Sequence, residues 1–237
     1  MGIRDLFEKL SLESELDERL VPRHIAITVR GTQQYAELNN LSATDANKVK
    51  FLHIKNVVKL ASKAGVKILT IHLHDELKED ELDFLSHFCY ELRDWDYLQE
   101  ENMKISVLGK WFLLSSRVVE PLKDLINATK DNKKFMLNLC INYDGQQELI
   151  DACKLISQKA LMGKLDPQNI SNNTIKEHLY TSNFPSPELI ITTNDAKTTE
   201  GFLLWDGAKS KIFSCPVSWP DFGRQEIMNA LEWYMKG

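Results

Sequence analysis

The chain has 237 residues, of which 43% are hydrophobic and 27% charged, and its net charge is −5. At this length burial of roughly three quarters of the unfolded surface sustains a fold without staples, and the acidic balance excludes broad nucleic-acid binding, which needs a basic footprint. Four widely separated cysteines, Cys89, Cys140, Cys153 and Cys215, without a C-x-x-C pair or a signal peptide, predict reduced thiols and a cytoplasmic chain. No apolar run approaches the ~20 residues of a membrane-spanning helix, so any membrane association is expected to be peripheral.

Along the chain, residues 1–21 predict an amphipathic helix: Ile3, Leu6, Phe7 and Leu10 fall at helical spacing and charges fill the other face. Pro22 stops it. "HIAITV" at 24–29 is a β-branched run typical of a strand buried on both faces, ending at Arg30-Gly31. The spacing predicts a helix over 45–64 with Gly65 at its C-terminal cap, then a strand over 66–73. The rhythm repeats as helix 80–93, strand 104–108, helix 118–129, strand 135–142 and helix 146–162, which ends at Gly163 and Asp166-Pro167. A strand over 189–193, an apolar segment over 212–217 and a helix over 225–235 complete the chain. Strands separated by helices of this length imply βαβ units. The expected fold is one α/β domain over 1–237 with a mostly parallel sheet of about six strands, flanked by helices.

Chemistry is sparse on patterns alone. His72 and His74, at i and i+2 near the end of a strand and followed by Asp75 and Glu76, point to one face as metal ligands do, yet no third ligand stands at a fixed spacing. "DELKEDELD" reads better as a helix start whose acids complement the dipole. No dinucleotide, P-loop or nucleophile-elbow motif occurs. Cys215 and the tryptophans Trp205, Trp219 and Trp233 read as packing residues. The loop "TTNDAKTTE" at 192–200 follows a buried strand, where α/β proteins place their chemistry, but it holds no arginine, histidine or cysteine.

Several stretches, taken in order, resemble the cis-prenyltransferase family, which includes undecaprenyl and dehydrodolichyl diphosphate synthases. "VPRHIAITVRGTQQYA" is similar to the family's P-R-H-I-A-I-I-M-D-G-N-x-R-W-A, and "AGVKILTIHL" to its second strand. "LCINYDGQQELIDACKLI" matches its N-Y-G-G-R-x-E-I stretch, and "GKLDPQNI" its G-K-L-D-P. "HLYTSNFPSPELIITT" and "FLLWDGAKSKIFSCPVSWPDFGRQEIMNALEWY" follow its L-Y-T and F-L-L-W to W-P-D-F regions. The resemblance runs from about residue 22 to the C-terminus and implies the family's fold.

It also implies an erased active site. Where family members hold Mg²⁺ and a diphosphate with an aspartate after the first strand, this chain has Arg30, and the neighbouring Asn and Arg become Thr32 and Gln34. The family's diphosphate-side histidine falls at Asn47, and the F-S-x-E-N-W-x-R-P loop is replaced by "HDELKEDEL". In the R-T-S-G-E-x-R loop that grips diphosphate, Thr192, Asn194, Ala196 and Thr198 stand at the Arg, Ser, Glu and second Arg. Lys211 replaces the second metal-side carboxylate. A cation ~4 Å from a divalent ion repels it by several kcal/mol, so no metal or cofactor is expected in this chain.

The resemblance thus implies a non-catalytic subunit of a heteromeric cis-prenyltransferase, similar to the Nogo-B receptor type. Its partner would be a catalytic chain that holds the Mg²⁺ and makes long-chain polyprenyl diphosphate from isopentenyl and allylic diphosphates. The partnership is expected to be a heterodimer or heterotetramer, with a homodimer possible for the chain alone. Trp219, Phe222, Trp233 and Lys236 are the interface candidates, Lys236-Gly237 standing where such subunits carry R-x-G. The alternative is a metal-independent prenyl-lipid or anion binder in which Arg30 and Lys211 contact phosphate directly; an active synthase by an altered route is a third reading. The plain alternative is that both cations merely pair with a nearby acid such as Asp195.

Overall fold

The computed structural model of the chain describes residues 21–73 and 79–236. The helix expected for residues 1–21 lies outside the described residues except for Val21, which packs against the core. His74, Asp75 and Glu76 lie outside them as well.

Six apolar segments form strands: β1 His24–Thr28, β2 Ile68–His72, β3 Met103–Leu108, β4 Phe135–Cys140, β5 Leu189–Thr192 and β6 Lys211–Ser214. They make one sheet in the order β3-β4-β2-β1-β5-β6, and every neighbouring pair is parallel. β1, β2 and β5 are buried at every position. That explains their unbroken apolar runs, since helices or loops cover both faces of the sheet.

The longer helices are α2 Ala43–Lys63, α3 Glu79–Arg93, α5 Ser116–Thr129, α6 Gly145–Leu161 and α8 Arg224–Met235. Short helices α1 Thr32–Leu38, α4 Asp96–Glu100 and α7 Asn172–Lys176 lie between them. α2 starts two residues before the expected Asp45 because the Ser42 side chain caps it, accepting a hydrogen bond from the Asp45 backbone N–H. Gly65, just past its end, has φ of 89°, the left-handed value a helix terminus favours.

The two faces of the sheet differ. On one, Ile25, Ile27, Leu69, Ile71, Leu137 and Leu139 meet Phe51 and Ile54 of α2, Leu85, Phe88 and Leu92 of α3, and Val118, Leu122 and Leu125 of α5. On the other, Ala26, Ile190 and Cys140 lie under Tyr143, Phe184, Phe202 and Leu203, which come mainly from connecting segments. This second face carries buried polar groups. Thr70 Oγ1 of β2 bonds His24 Nε2 at 2.8 Å and accepts Asn138 Nδ2 at 3.0 Å, linking β1, β2 and β4.

Trp219 and Phe222, expected at an interface, are instead fully buried core residues whose rings stack 6.1 Å apart. The Trp219 indole N–H donates to the Lys50 carbonyl at 3.0 Å, fixing the segment after β6 to α2. Trp233 and Lys236 do remain at the surface.

Candidate functional site

β1 leads through α2 to β2 on one side, whereas β5 leads to β6 on the other. The crevice at the C-terminal ends of β1 and β5 is therefore a topological switch point, where open parallel sheets bind ligands. Arg30 sits there, two residues past β1, opposite the 193–201 loop that follows β5.

Three loops are tied together around it. The Thr193 hydroxyl donates to the Thr28 carbonyl and accepts the Arg30 backbone N–H, both at 2.9 Å. The Asn194 N–H donates to the Val217 carbonyl at 2.7 Å, the Asp195 N–H to that of Cys215 at 2.8 Å, and the Trp219 N–H to that of Arg30 at 2.8 Å. Gly31, at φ 81°, is required for this closeness. A Cβ there would lie 2.8 Å from Ser218 Cβ and 2.9 Å from Asn194 Oδ1.

The Arg30 guanidinium does not face open solvent. Its Nη1 donates to Glu200 Oε1 at 2.6 Å and its Nη2 meets Oε2 at 2.5 Å, a bidentate pair spanning the crevice; the side chains are 22% and 55% exposed. Arg30 Nε is buried without a hydrogen-bond partner, as is Thr28 Oγ1 at the last position of β1. The Glu200 backbone is held at φ 50°, next to Gly201 at φ 83°, and Asn194, Asp195 and Leu203 are also left-handed. Four non-glycine residues in that region within ten positions is costly backbone, of the kind that concentrates at functional loops.

The other expected site positions are scattered. Thr192 is fully buried, its hydroxyl donating to the Ala196 carbonyl at 2.6 Å. Ala196 and Thr198 continue the loop, while Asp195 pairs with Lys197 and not with Arg30. Thr32 and Gln34 lie on α1, and Asn47 in the first turns of α2. Lys211 is not brought to Arg30. It opens β6 in register with Leu189 and Ile25, five residues or ~16 Å down the strands from the level of Arg30. There its ammonium donates to the Tyr234 carbonyl at 3.1 Å and lies 5.0 Å from that ring, so the shared phosphate seat expected of Arg30 and Lys211 does not form within one chain. Glu200, the carboxylate that holds Arg30, carried no signal beyond its presence in the loop.

The donor set does not fit Mg²⁺. At the end of β1, where the resemblance implies a metal-side carboxylate, a guanidinium stands, the Glu200 carboxylate near it is bound to that guanidinium, and no group of three His, Cys, Asp or Glu could hold an ion among the described residues. His72 is not a ligand poised at the crevice either. Its ring stacks on Phe202 at 4.7 Å and 5°, and meets Tyr143 edge-on. A separate cavity of about 300 Å³ lies beyond β3 and β4; of its lining groups, Lys110 and the Tyr180 hydroxyl are both bound to Asp151, at 3.2 Å and 2.5 Å.

Residues 29–237 match the family described as "Putative undecaprenyl diphosphate synthase". The chain is 29% identical to the tritrans,polycis-undecaprenyl-diphosphate synthase (geranylgeranyl-diphosphate specific) of Methanocaldococcus jannaschii, over 99% of this chain and 87% of that one. It is 31% identical to an isoprenyl transferase of Prochlorococcus marinus, over 95% and 85%. Among solved structures, lavandulyl diphosphate synthase from Lavandula x intermedia in complex with dimethylallyl diphosphate superposes with a TM-score of 0.85 at 25% identity, covering 92% of this chain and 96% of that one. With six parallel strands in a matching architecture and a family match over most of its length, the chain belongs to the cis-prenyltransferase (undecaprenyl diphosphate synthase) family.

Proposed function

We propose that the chain is a non-catalytic subunit that pairs with a catalytic cis-prenyltransferase chain and supports its synthesis of long-chain polyprenyl diphosphate. The observation that carries this reading is the Arg30–Glu200 pair. Loss of diphosphate from an allylic carbon needs the developing negative charge neutralised, ordinarily by a divalent cation and free cationic side chains. In this crevice the cation available is already neutralised by an internal carboxylate.

Packing supports the same reading. A polyprenyl chain needs an apolar cavity, and among the described residues the centre of the layer between the sheet and helices α2, α3 and α5 is closely packed. Ile54, Leu69, Ile71, Leu85, Leu92, Leu122 and Leu137 have no accessible surface, which leaves no water-sized void against any of them. The catalytic partner then holds Mg²⁺ and both substrates, and the pair works in the cytoplasm at the membrane surface where its product partitions. The prenyl-phosphate or anion-binding reading loses ground because Lys211 is elsewhere and Arg30 is occupied.

The test is co-expression with a catalytic homologue from the same source, followed by gel filtration and assay of polyprenyl diphosphate synthesis. A stable mixed complex with raised synthesis is expected. Mg²⁺-dependent prenyl transfer by the isolated chain would overturn the proposal.

A further inference from the structure

Between β3 and α5 the chain makes a single 3₁₀ turn, Trp111–Leu113. Trp111 and Leu114, three positions apart, pack against the main core, whereas Phe112 and Leu113 between them face away from it and are 57% and 66% exposed. The turn is fixed to its neighbours. Gly109 lets it close against the end of β4, where a Cβ would lie 2.5 Å from the Ile141 carbonyl oxygen. The Lys110 N–H donates to the Asn142 carbonyl at 2.9 Å, and the Asn142 side-chain amide donates back to the Lys110 carbonyl at 3.1 Å. Phe112 also meets the Trp111 ring edge-on at 6.3 Å. Two large apolar side chains are thus presented to solvent on a preorganised backbone, so their exposure is a property of the fold.

The size and the charges of this knob decide what it fits. Together Phe112 and Leu113 offer about 200 Å² of apolar side chain, whereas one partner in a standard protein–protein interface contributes about 800 Å², and the exposed Ser115 and Ser116 follow directly. Two protruding side chains need an apolar medium more than a surface of matching shape, and a bilayer is such a medium. Residues 102–119 hold no acid in a chain that is acidic overall, and carry Lys104, Lys110 and Arg117. Lys104 lies near the start of β3, while Lys110 and Arg117 flank the turn. Both flanking cations are paired, with Asp151 at 3.2 Å and Asp83 at 2.9 Å, so apolar burial and not attraction between charges carries the binding. Aromatic and aliphatic residues bordered by cations are the composition of interfacial anchors. We propose that Phe112 and Leu113 are a lipid anchor: the turn after β3 inserts them at the boundary of headgroups and acyl chains, with Lys110 and Arg117 at headgroup level. The turn leaves the C-terminal end of β3, the same end of the sheet as the crevice, and β1 is three strand spacings or about 14 Å away. Insertion therefore turns the crevice toward the bilayer. Anchoring of this kind belongs to the chain alone and holds whether or not it serves a catalytic partner.

Sedimentation of the full chain with sucrose-loaded vesicles of phosphatidylcholine and phosphatidylglycerol, in low and in high salt, tests it. Wild type is compared with F112S/L113S and with L161S/M162S. The second variant removes another exposed apolar pair, 89% and 67% exposed, which lies roughly 25 Å along α6 from the end of the sheet where that helix starts. Wild type is expected to bind at both salt concentrations, with the partition coefficient at least tenfold lower in F112S/L113S and within twofold of wild type in L161S/M162S. Insertion itself is read from an environment-sensitive fluorophore on F112C in a C153S background, since Cys153 is the exposed one of the four free cysteines. Its emission is expected to shift to the blue and to be quenched by brominated acyl chains, whereas the same probe on L161C stays in water. Absence of vesicle binding by wild type, loss of binding in high salt, or a probe at position 112 that stays in water on the bound chain would overturn the proposal. Equal vesicle binding by wild type and F112S/L113S, together with loss of the mixed complex in that variant, would instead assign the knob to a protein partner. Both substituted side chains lie outside the core, and thermal melting checks that each variant is folded.

Discussion

At the scale of single residues, burial decides how the chemistry of this chain differs from its composition. His24 is fully buried at the start of β1, with Nδ1 2.7 Å from the Pro185 carbonyl and Nε2 against Thr70. A carbonyl only accepts, so Nδ1 carries a proton, and in the neutral ring Nε2 accepts from the Thr70 hydroxyl. Burial, offset in part by that carbonyl, lowers its pKa from 6.5 to about 4. The unfolded chain binds a proton to this ring at higher pH than the folded one does. The contribution to stability is therefore complete above pH 6.5 and lost as pH falls through about 4, an effect of roughly 3 kcal/mol. Urea unfolding of wild type and H24N across pH 4 to 7 is expected to show that loss in wild type alone. Burial acts oppositely on Glu148, whose carboxyl is raised by desolvation although it accepts from the Tyr143 hydroxyl at 2.6 Å. Taking the difference between wild type and H24N at each pH keeps the two effects apart, because Glu148 is common to both.

At the scale of elements, strand and helix runs were legible because their periods are strong, and boundaries moved by one or two residues. Helix α2 begins at Ser42's cap and not at Asp45, and β4 stops at Cys140 because Asn142 turns left-handed at φ 49°. Helices α1, α4 and α7 were missed. Segments of five to seven residues such as "TQQYAEL" span too few turns to display a 3.6-residue period. Partners across elements were likewise invisible, since pairing is a tertiary property. Lys50 of α2 is one such case, meeting Glu81 of α3 at 2.7 Å with side chains 4% and 13% exposed. Breaking a buried pair leaves a charge uncompensated, whereas replacing both ends with apolar groups of similar size is nearly neutral. E81A is expected to cost roughly 3 kcal/mol in chemical denaturation, and K50M/E81L to recover most of it. A double variant as unstable as E81A would assign the loss to packing and not to charge.

At the scale of the whole molecule, the sheet ends in two edge strands among the described residues, β3 and β6. β6 pairs with β5 alone. Ile212 on that strand is 45% exposed and Trp233 on α8 42%, and Trp233 lies 5.6 Å from Phe213 of β6. An edge strand beside exposed aromatic surface favours association. I212K/W233E is expected to abolish the mixed complex in gel filtration while leaving the melting temperature within about 3 °C of wild type; a complex that survives would move the interface elsewhere. The fold was legible at this scale because spaced motifs span the whole chain. The crevice was only half legible: the resemblance pointed to the loops after β1 and β5, but the pairing of Arg30 with Glu200, 170 positions apart, and the remoteness of Lys211 both depend on register.

The burial of Thr192 has a consequence for what this position can accept. Its side chain has no accessible surface and its hydroxyl is bonded to Ala196 within the loop. An arginine at this position would have to bury a guanidinium where a methyl and a hydroxyl now fit. T192R is therefore expected to fold less stably than wild type, through the local fit of this position and independently of any chemistry in the crevice.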